Sequence, residues 1–132
     1  MSLFVDTSGL YALLVESETD HAKVKAAFRQ TAERGRRMLT TNYVLVETSA
    51  LLQHRIGLEP VRDLDLKILP LLHVQFVDAT LQRRAMNRLL RLDRRRVSLV
   101  DAVSFETMEA EGISDALSLD SDFAAEGFRL VP

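Results

Sequence analysis

Four acidic residues in this sequence stand where a carboxylate is out of keeping with its neighbours. Asp6 ends the run Ser2-Leu3-Phe4-Val5 and leads into Thr7, Ser8 and Gly9, while Glu47 sits in the mostly apolar stretch Val44 to Leu51. Asp101 follows Ser98 by three residues, Asp120 closes Ala116-Leu117-Ser118-Leu119, and Asp122 comes two residues later. Taken alone, an Asp-Thr-Ser reads first as a helix cap. In company the acids suggest more, because unpaired buried carboxylates are costly. Two of them about 5 Å apart repel by roughly 3 kcal/mol at an effective dielectric near 20. Protonation or a cation relieves that repulsion. Cysteine is absent and His21, His54 and His73 are isolated along the chain, so an all-oxygen donor set suits Mg²⁺ or Mn²⁺ better than zinc. A divalent ion lowers the pKa of water, aligns it with a phosphodiester and neutralises charge on the leaving oxygen. The chemistry to look for is metal-assisted hydrolysis.

Such acids need a frame. The unbroken apolar run before Asp6 reads as a buried parallel strand, and the crevice of an open parallel sheet lies beyond its strands' carboxyl ends. Gly9 to Val15 forms a short apolar helix and Glu16 to Thr19 a polar turn. Asp20 then caps a helix carrying Val24, Ala27, Phe28 and Thr31 inward, ended by Gly35. Met38-Leu39-Thr40 is a brief strand, and Thr41 or Asn42 caps a helix from Tyr43 to about Arg55 that holds Glu47. Gly57 breaks it. Pro60 opens another helix with Val61, Leu64, Ile68 and Leu71, which Pro70 ends or kinks. Val74 to Val77 is the third strand, and Asp78 caps an Arg-rich helix with Leu81, Ala85, Leu89 and Leu92 inward. After the basic turn Asp93 to Arg96, Ser98 and Asp101 have the form of a capping box opening a helix to Gly112. Ala116 to Leu119 is a fourth strand ending at Asp120, and Phe128 to Val131 a fifth. Alternating strands and helices predict an α/β sandwich around a mainly parallel sheet. In it the four acids share one crevice only if the fold brings them there.

The 132 residues, 47% hydrophobic and 27% charged, predict one domain over residues 1–132 with a core burying roughly two-thirds of the unfolded surface. No apolar run approaches membrane-spanning length, and the absence of cysteine suits a reducing compartment, so the expected location is cytoplasmic. The net charge of −2 hides an uneven distribution. His21 to Arg37 holds six bases against Glu33, and Asp78 to Val100 seven arginines against Asp78 and Asp93. Residues 101–132 hold eight acids against Arg129. Acidic segments folded beside basic ones suit cations in a pocket and a polyanion on its rim, although each basic block alone also reads as a solvated helix face.

The ordered set Asp6-Thr7-Ser8, Glu47, Ser98-Leu99-Val100-Asp101-Ala102 and Leu117-Ser118-Leu119-Asp120-Ser121-Asp122-Phe123 resembles the PIN-domain family, and more narrowly its VapC-type toxins. The resemblance runs over essentially the whole chain, including Glu126-Gly127-Phe128. It implies a PIN-like three-layer sandwich and a Mg²⁺- or Mn²⁺-dependent endoribonuclease leaving a 5′-phosphate and a 3′-hydroxyl. It carries metal-binding and catalytic roles onto Asp6, Glu47, Asp101 and Asp120, and supporting roles onto the hydroxyls of Ser8 and Ser98. Asp122 matches a more variable metal position. Arg94, Arg95 and Arg96, leading straight into the expected pocket, are the RNA-binding candidates. The resemblance also implies a cognate antitoxin that wraps a helix around the enzyme and sets a basic residue near the acids, and a homodimer.

Other functions stay open at this point. A haloacid-dehalogenase-type phosphatase also begins with a strand and Asp, but it needs a second Asp where Ser8 stands. A housekeeping nuclease of the same fold and a non-catalytic RNA- or protein-binding module remain alternatives. RNA and DNA substrates are not separated by the sequence.

Overall fold

A computed structural model describes all residues, Met1–Pro132. Five strands form one wholly parallel sheet: β1 Ser2–Val5, β2 Arg37–Thr41, β3 His73–Gln75, β4 Asp115–Leu117 and β5 Arg129–Val131, in the order β3-β2-β1-β4-β5. Seven helices flank it: α1 Thr7–Leu14, α2 His21–Glu33, α3 Asn42–Arg55, α4 Leu58–Asp63, α5 Ala79–Leu92, α6 Leu99–Glu111 and α7 Ser121–Ala125. The order places β1 at the centre, and the chain leaves it first toward β2 and β3 and later returns on its other side as β4. That reversal beside β1 opens a crevice at the carboxyl ends of β1 and β4.

The local chemistry explains why the strands are so apolar. Leu3, Phe4 and Val5 are completely buried, as strands covered on both faces must be. Thr40, also buried, spends its hydroxyl on the Val5 carbonyl at 2.8 Å, so a polar group inside the sheet is satisfied. The carboxyl-side core is sealed by phenylalanines. Phe123 packs edge-on against Phe105 with ring centroids 4.9 Å apart, and stacks with Phe4 at 6.5 Å. This pins the five-residue α7 and, with it, Asp120 at its start.

Several elements differ from the sequence expectation for identifiable reasons. Helix α1 begins at Thr7, two residues before Gly9, because Asp6 is its N-cap and takes the Ser8 N–H. Asp20 precedes α2 without any side-chain cap bond, whereas Thr41 caps α3 by accepting from Val44 N–H. The helix expected from Pro60 to Leu71 breaks up. After α4 the chain widens into a π-type turn at Leu64–Ile68, where Leu69 N–H reaches back to the Leu64 carbonyl, and then tightens into a 3₁₀ turn at Leu69–Leu71. Pro70 has no N–H with which to continue an α-helix. The third strand is shifted to His73–Gln75, since Val77 N–H is taken by the Asn42 side chain at 2.8 Å. The fourth ends at Leu117: Leu119 N–H goes to Ser8 Oγ at 2.9 Å instead of a neighbouring strand. Asp120 therefore caps α7 three residues beyond the strand rather than ending it, and β5 starts at Arg129, leaving Phe128 to the aromatic cluster.

Candidate active site

A cavity of about 430 Å³ lies at the carboxyl ends of β1 and β4, and Asp6, Ser8, Glu47, Ser98, Asp101 and Asp120 all line it. Each arrives by a different route. Asp6 is delivered by the central strand. Glu47 comes from the middle of α3, whose next residue, Thr48, is fully buried and donates to Thr7 Oγ1 at 3.2 Å, fixing α3 against the start of α1. Asp101 sits in the first turn of α6, held by a complete capping box: Ser98 N–H donates to Asp101 Oδ2 at 2.9 Å and Asp101 N–H to Ser98 Oγ at 3.1 Å. Asp120 accepts the Asp122 N–H at 2.9 Å as the cap of α7.

The floor of the cavity is a hydroxyl network around Asp6. Its Oδ2 accepts from Ser8 Oγ at 2.8 Å and from Ser118 Oγ at 3.0 Å. Ser8 Oγ in turn accepts from Leu119 N–H, and Ser118 Oγ from Asp120 N–H at 3.1 Å. Each serine thus has its one proton directed at Asp6 and its lone pairs on backbone N–H groups. Neither serine hydroxyl reaches the other Asp6 oxygen. Ser118 belongs to the site although only Ser8 and Ser98 were expected as its hydroxyls.

Electrostatics follow from this crowding. Burial, opposed by the Ser8 hydroxyl and reinforced by the charge of Asp101, pushes the Asp6 carboxyl up to about 6. Asp101 is also raised, first by burial, against the Ser98 N–H, and then by the charges of Asp120 and Glu47. Asp101 is thus the acid at which the charges of the other cavity acids meet. No three His, Asp or Glu side chains are grouped closely enough to hold an ion as they stand. The donor set nonetheless fits a hard divalent cation: oxygen only, one Asp6 oxygen left clear of the serine hydroxyls, and a raised Asp101 whose repulsion with its neighbours a cation would relieve.

The expected arginines divide. Arg96 lines the cavity, its side chain 78% exposed, and Arg95 is exposed. Arg94 is not free for RNA: its guanidinium is ion-paired with Asp122 and lies 3.6 Å from Glu126. Asp122, in turn, is almost fully buried in that pair and is not among the cavity residues, so the structure separates it from the other acids. Another arginine of the same block, Arg88, is buried among Glu106, Glu109 and Glu126 at 2.8 to 2.9 Å and lies over the Phe105 ring. That part of the basic block serves the fold. His21 ties α2 to α1 through the Ala12 carbonyl at 2.7 Å, while His54 and His73 are exposed. Tyr11, Glu18 and Arg55, unforeseen, complete the cavity's polar lining. Glu47, Leu51 and Arg55, each four residues from the next along α3, all line the cavity, and that row was the signal for Arg55.

The PIN domain family model matches residues 3–128. The chain is 37% identical over 127 residues to the 23S rRNA-specific endonuclease VapC20 of Mycobacterium tuberculosis, covering 96% of this chain and 95% of that one. The crystal structure of M. tuberculosis VapC20, described as a sarcin-ricin loop cleaving toxin, superimposes with a TM-score of 0.85 at 35% identity, over 96% of this chain and 95% of the other. FitAcB from Neisseria gonorrhoeae shares the fold with a TM-score of 0.71 at 13% identity, over 100% of this chain and 97% of that one.

Proposed function

The chain belongs to the PIN domain family, and from that premise we propose that it is an endoribonuclease, dependent on a divalent cation, that acts as the toxin of a toxin–antitoxin pair. The observation that carries this reading is the convergence of Asp6, Glu47, Asp101 and Asp120 on one cavity, with the charges of Glu47 and Asp120 acting on Asp101 and that of Asp101 on Asp6. These four would hold Mg²⁺ or Mn²⁺, which when bound supplies a more acidic water and neutralises charge on the leaving oxygen. The chain's own groups supply the order. Ser8 and Ser118 fix one oxygen of Asp6 and leave the other for the cavity, and the Ser98 box fixes the rotamer of Asp101. Arg96 offers a cation to the phosphate backbone at the rim. VapC20 is specific for 23S rRNA and cleaves its sarcin-ricin loop, so a structured ribosomal RNA loop is the first substrate to test. A cognate antitoxin, a homodimer, a single domain over residues 1–132 and a cytoplasmic site of action complete the proposal. No helix is long and apolar enough to cross a membrane.

The test is cleavage of a sarcin-ricin loop RNA by purified protein with Mn²⁺, sequencing the ends. We expect 5′-phosphate and 3′-hydroxyl termini, and losses of roughly a thousandfold or more in Asp6→Asn, Glu47→Gln, Asp101→Asn and Asp120→Asn, since each weakens several kcal/mol of charge stabilisation. Wild-type rates in these variants would refute the assignment. Expression should arrest growth and co-expression with the antitoxin restore it; harmless expression of an active enzyme would favour a housekeeping nuclease.

A further inference from the structure

Arg55 and Arg96 are the two arginines lining the cavity, and they come from separate elements, the last turn of α3 and the turn before α6. Neither pairs with any of the cavity's five carboxylates, Asp6, Glu18, Glu47, Asp101 and Asp120. Arg96 has only a distant partner, Asp122 at 3.8 Å. Arg55 has no ion pair at all, yet it is not adrift: its guanidinium carbon sits 5.4 Å from the centroid of the Tyr11 ring. Tyr11 is itself 9% exposed, a member of the main core that lines the same cavity as Asp6. A cation over an aromatic face is held in place while its N–H fork stays open to an anion. Position at the carboxyl end of α3 would favour any base weakly through the helix dipole, but it does not call for a ring beneath it. Five acids repel an approaching phosphate backbone, so a polyanion enters this cavity only where cations compensate.

We propose that Arg55, seated on Tyr11, is a second phosphate anchor for the RNA strand, so that the strand is gripped from α3 by Arg55 as well as from the basic turn by Arg96. This rests on the nuclease reading and adds to it a binding residue outside the four acids. Arg55 is a positioning residue for the substrate backbone and takes no part in the bond-breaking step.

Binding of a labelled sarcin-ricin loop RNA to the full chain in EDTA, over a range of salt, tests it together with cleavage kinetics in Mn²⁺ on the same RNA. Arg55→Gln is expected to weaken binding about tenfold, to reduce the slope of log affinity against log salt by roughly 0.7, and to raise KM while kcat stays within about twofold. Arg55→Lys should keep the slope, because the charge remains, but recover only part of the affinity, because the fork and the stack are lost. Arg55 is exposed, so the melting point should barely move. Unchanged affinity and slope in Arg55→Gln, with wild-type RNA binding intact, overturns the anchor and leaves the nuclease reading standing. So does a fall in kcat with KM unchanged. Failure of the wild-type chain to bind or cleave RNA overturns both.

Discussion

Ser118 Oγ donates to Asp6 Oδ2 at 3.0 Å, a bond between residues 112 apart in the chain. With Ser8 it steadies an ionised Asp6, yet burial outweighs both hydroxyls and the carboxyl stands at about 6 instead of 3.8. A group whose folded pKa is raised takes up a proton on folding. Its contribution to stability is complete below about pH 3.8 and is lost as pH rises through about 6. Without metal, ionised Asp6 therefore costs the fold roughly 3 kcal/mol at neutral pH. Asp6→Asn should gain on wild type in EDTA as pH is raised from 4 to 7, read from urea midpoints. Parallel pH curves for the two proteins would disprove it. Cleavage at limiting Mn²⁺ should fall as pH drops through about 6, and added Mn²⁺ should move that limb lower, because metal competes with the proton.

Gly9 is where α1 meets β4. A Cβ there would overlap the Leu117 carbonyl oxygen, and backbone cannot swing aside as a side chain can. Gly9→Ala should cost about 1–3 kcal/mol, the range for overpacking. It should also displace Ser8, and with it the bonds to Asp6 and Leu119 N–H. Cleavage measured well below the melting point should then fall by more than the unfolded fraction explains. A variant that melts lower but cuts normally would show that α1 shifts without disturbing the floor.

The basic turn should respond residue by residue. Arg95 and Arg96 are exposed, and replacing both with Gln should flatten the salt dependence of RNA binding by roughly 1.4, about 0.7 for each phosphate contact. Arg94→Gln should act on the fold instead. It strips the buried Asp122 of its main partner, at a cost of about 1–3 kcal/mol, with the lower end favoured because Arg94 is itself over a third exposed. Asp122→Asn should likewise keep a substantial fraction of the cleavage rate while melting lower. Complete loss of metal binding in Asp122→Asn would instead return Asp122 to the ligands.

Asp6 was legible because it breaks an apolar run and Glu47 because it interrupts an apolar stretch, whereas Asp101 was legible because it completes a capping box with Ser98. What closes the site was less so. Ser118 lies inside the strand-like Ala116 to Leu119, and its partner Ser8 is 110 residues away, so no local pattern assigns it. The arginines look alike in sequence, yet Arg88 falls three residues after Ala85 and seven after Leu81, on the stripe that α5 buries. That spacing separates a structural arginine from solvated ones such as Arg83. Arg94 carries no such mark, because its partners Asp122 and Glu126 arrive only with α7.

Asp101 allows the cavity to be tested without substrate, since two explanations of its conservative replacement predict opposite things. As one of four crowded acids its carboxyl is raised by burial and by Asp120 and Glu47, so losing its charge should relieve the metal-free fold. As half of the capping box it accepts the Ser98 N–H at 2.9 Å, so losing that bond should cost about 1 kcal/mol. Asn at this position keeps an oxygen to accept from Ser98, and the box should survive largely intact. In EDTA at pH 7, Asp101→Asn is therefore expected to melt at or above wild type, and Asp101→Ala, which loses both the charge and the acceptor, below Asp101→Asn. Metal then separates ligand from cap. An ion that binds only the folded chain raises the melting point with the logarithm of its concentration above the dissociation constant. Wild type should show that rise with Mn²⁺ and Asp101→Asn little of it, whereas damage to the cap alone would lower the starting point and leave the rise unchanged. If Asp101→Asn keeps the full wild-type rise, Asp101 is no ligand, and the cavity's acids do not act as one metal site.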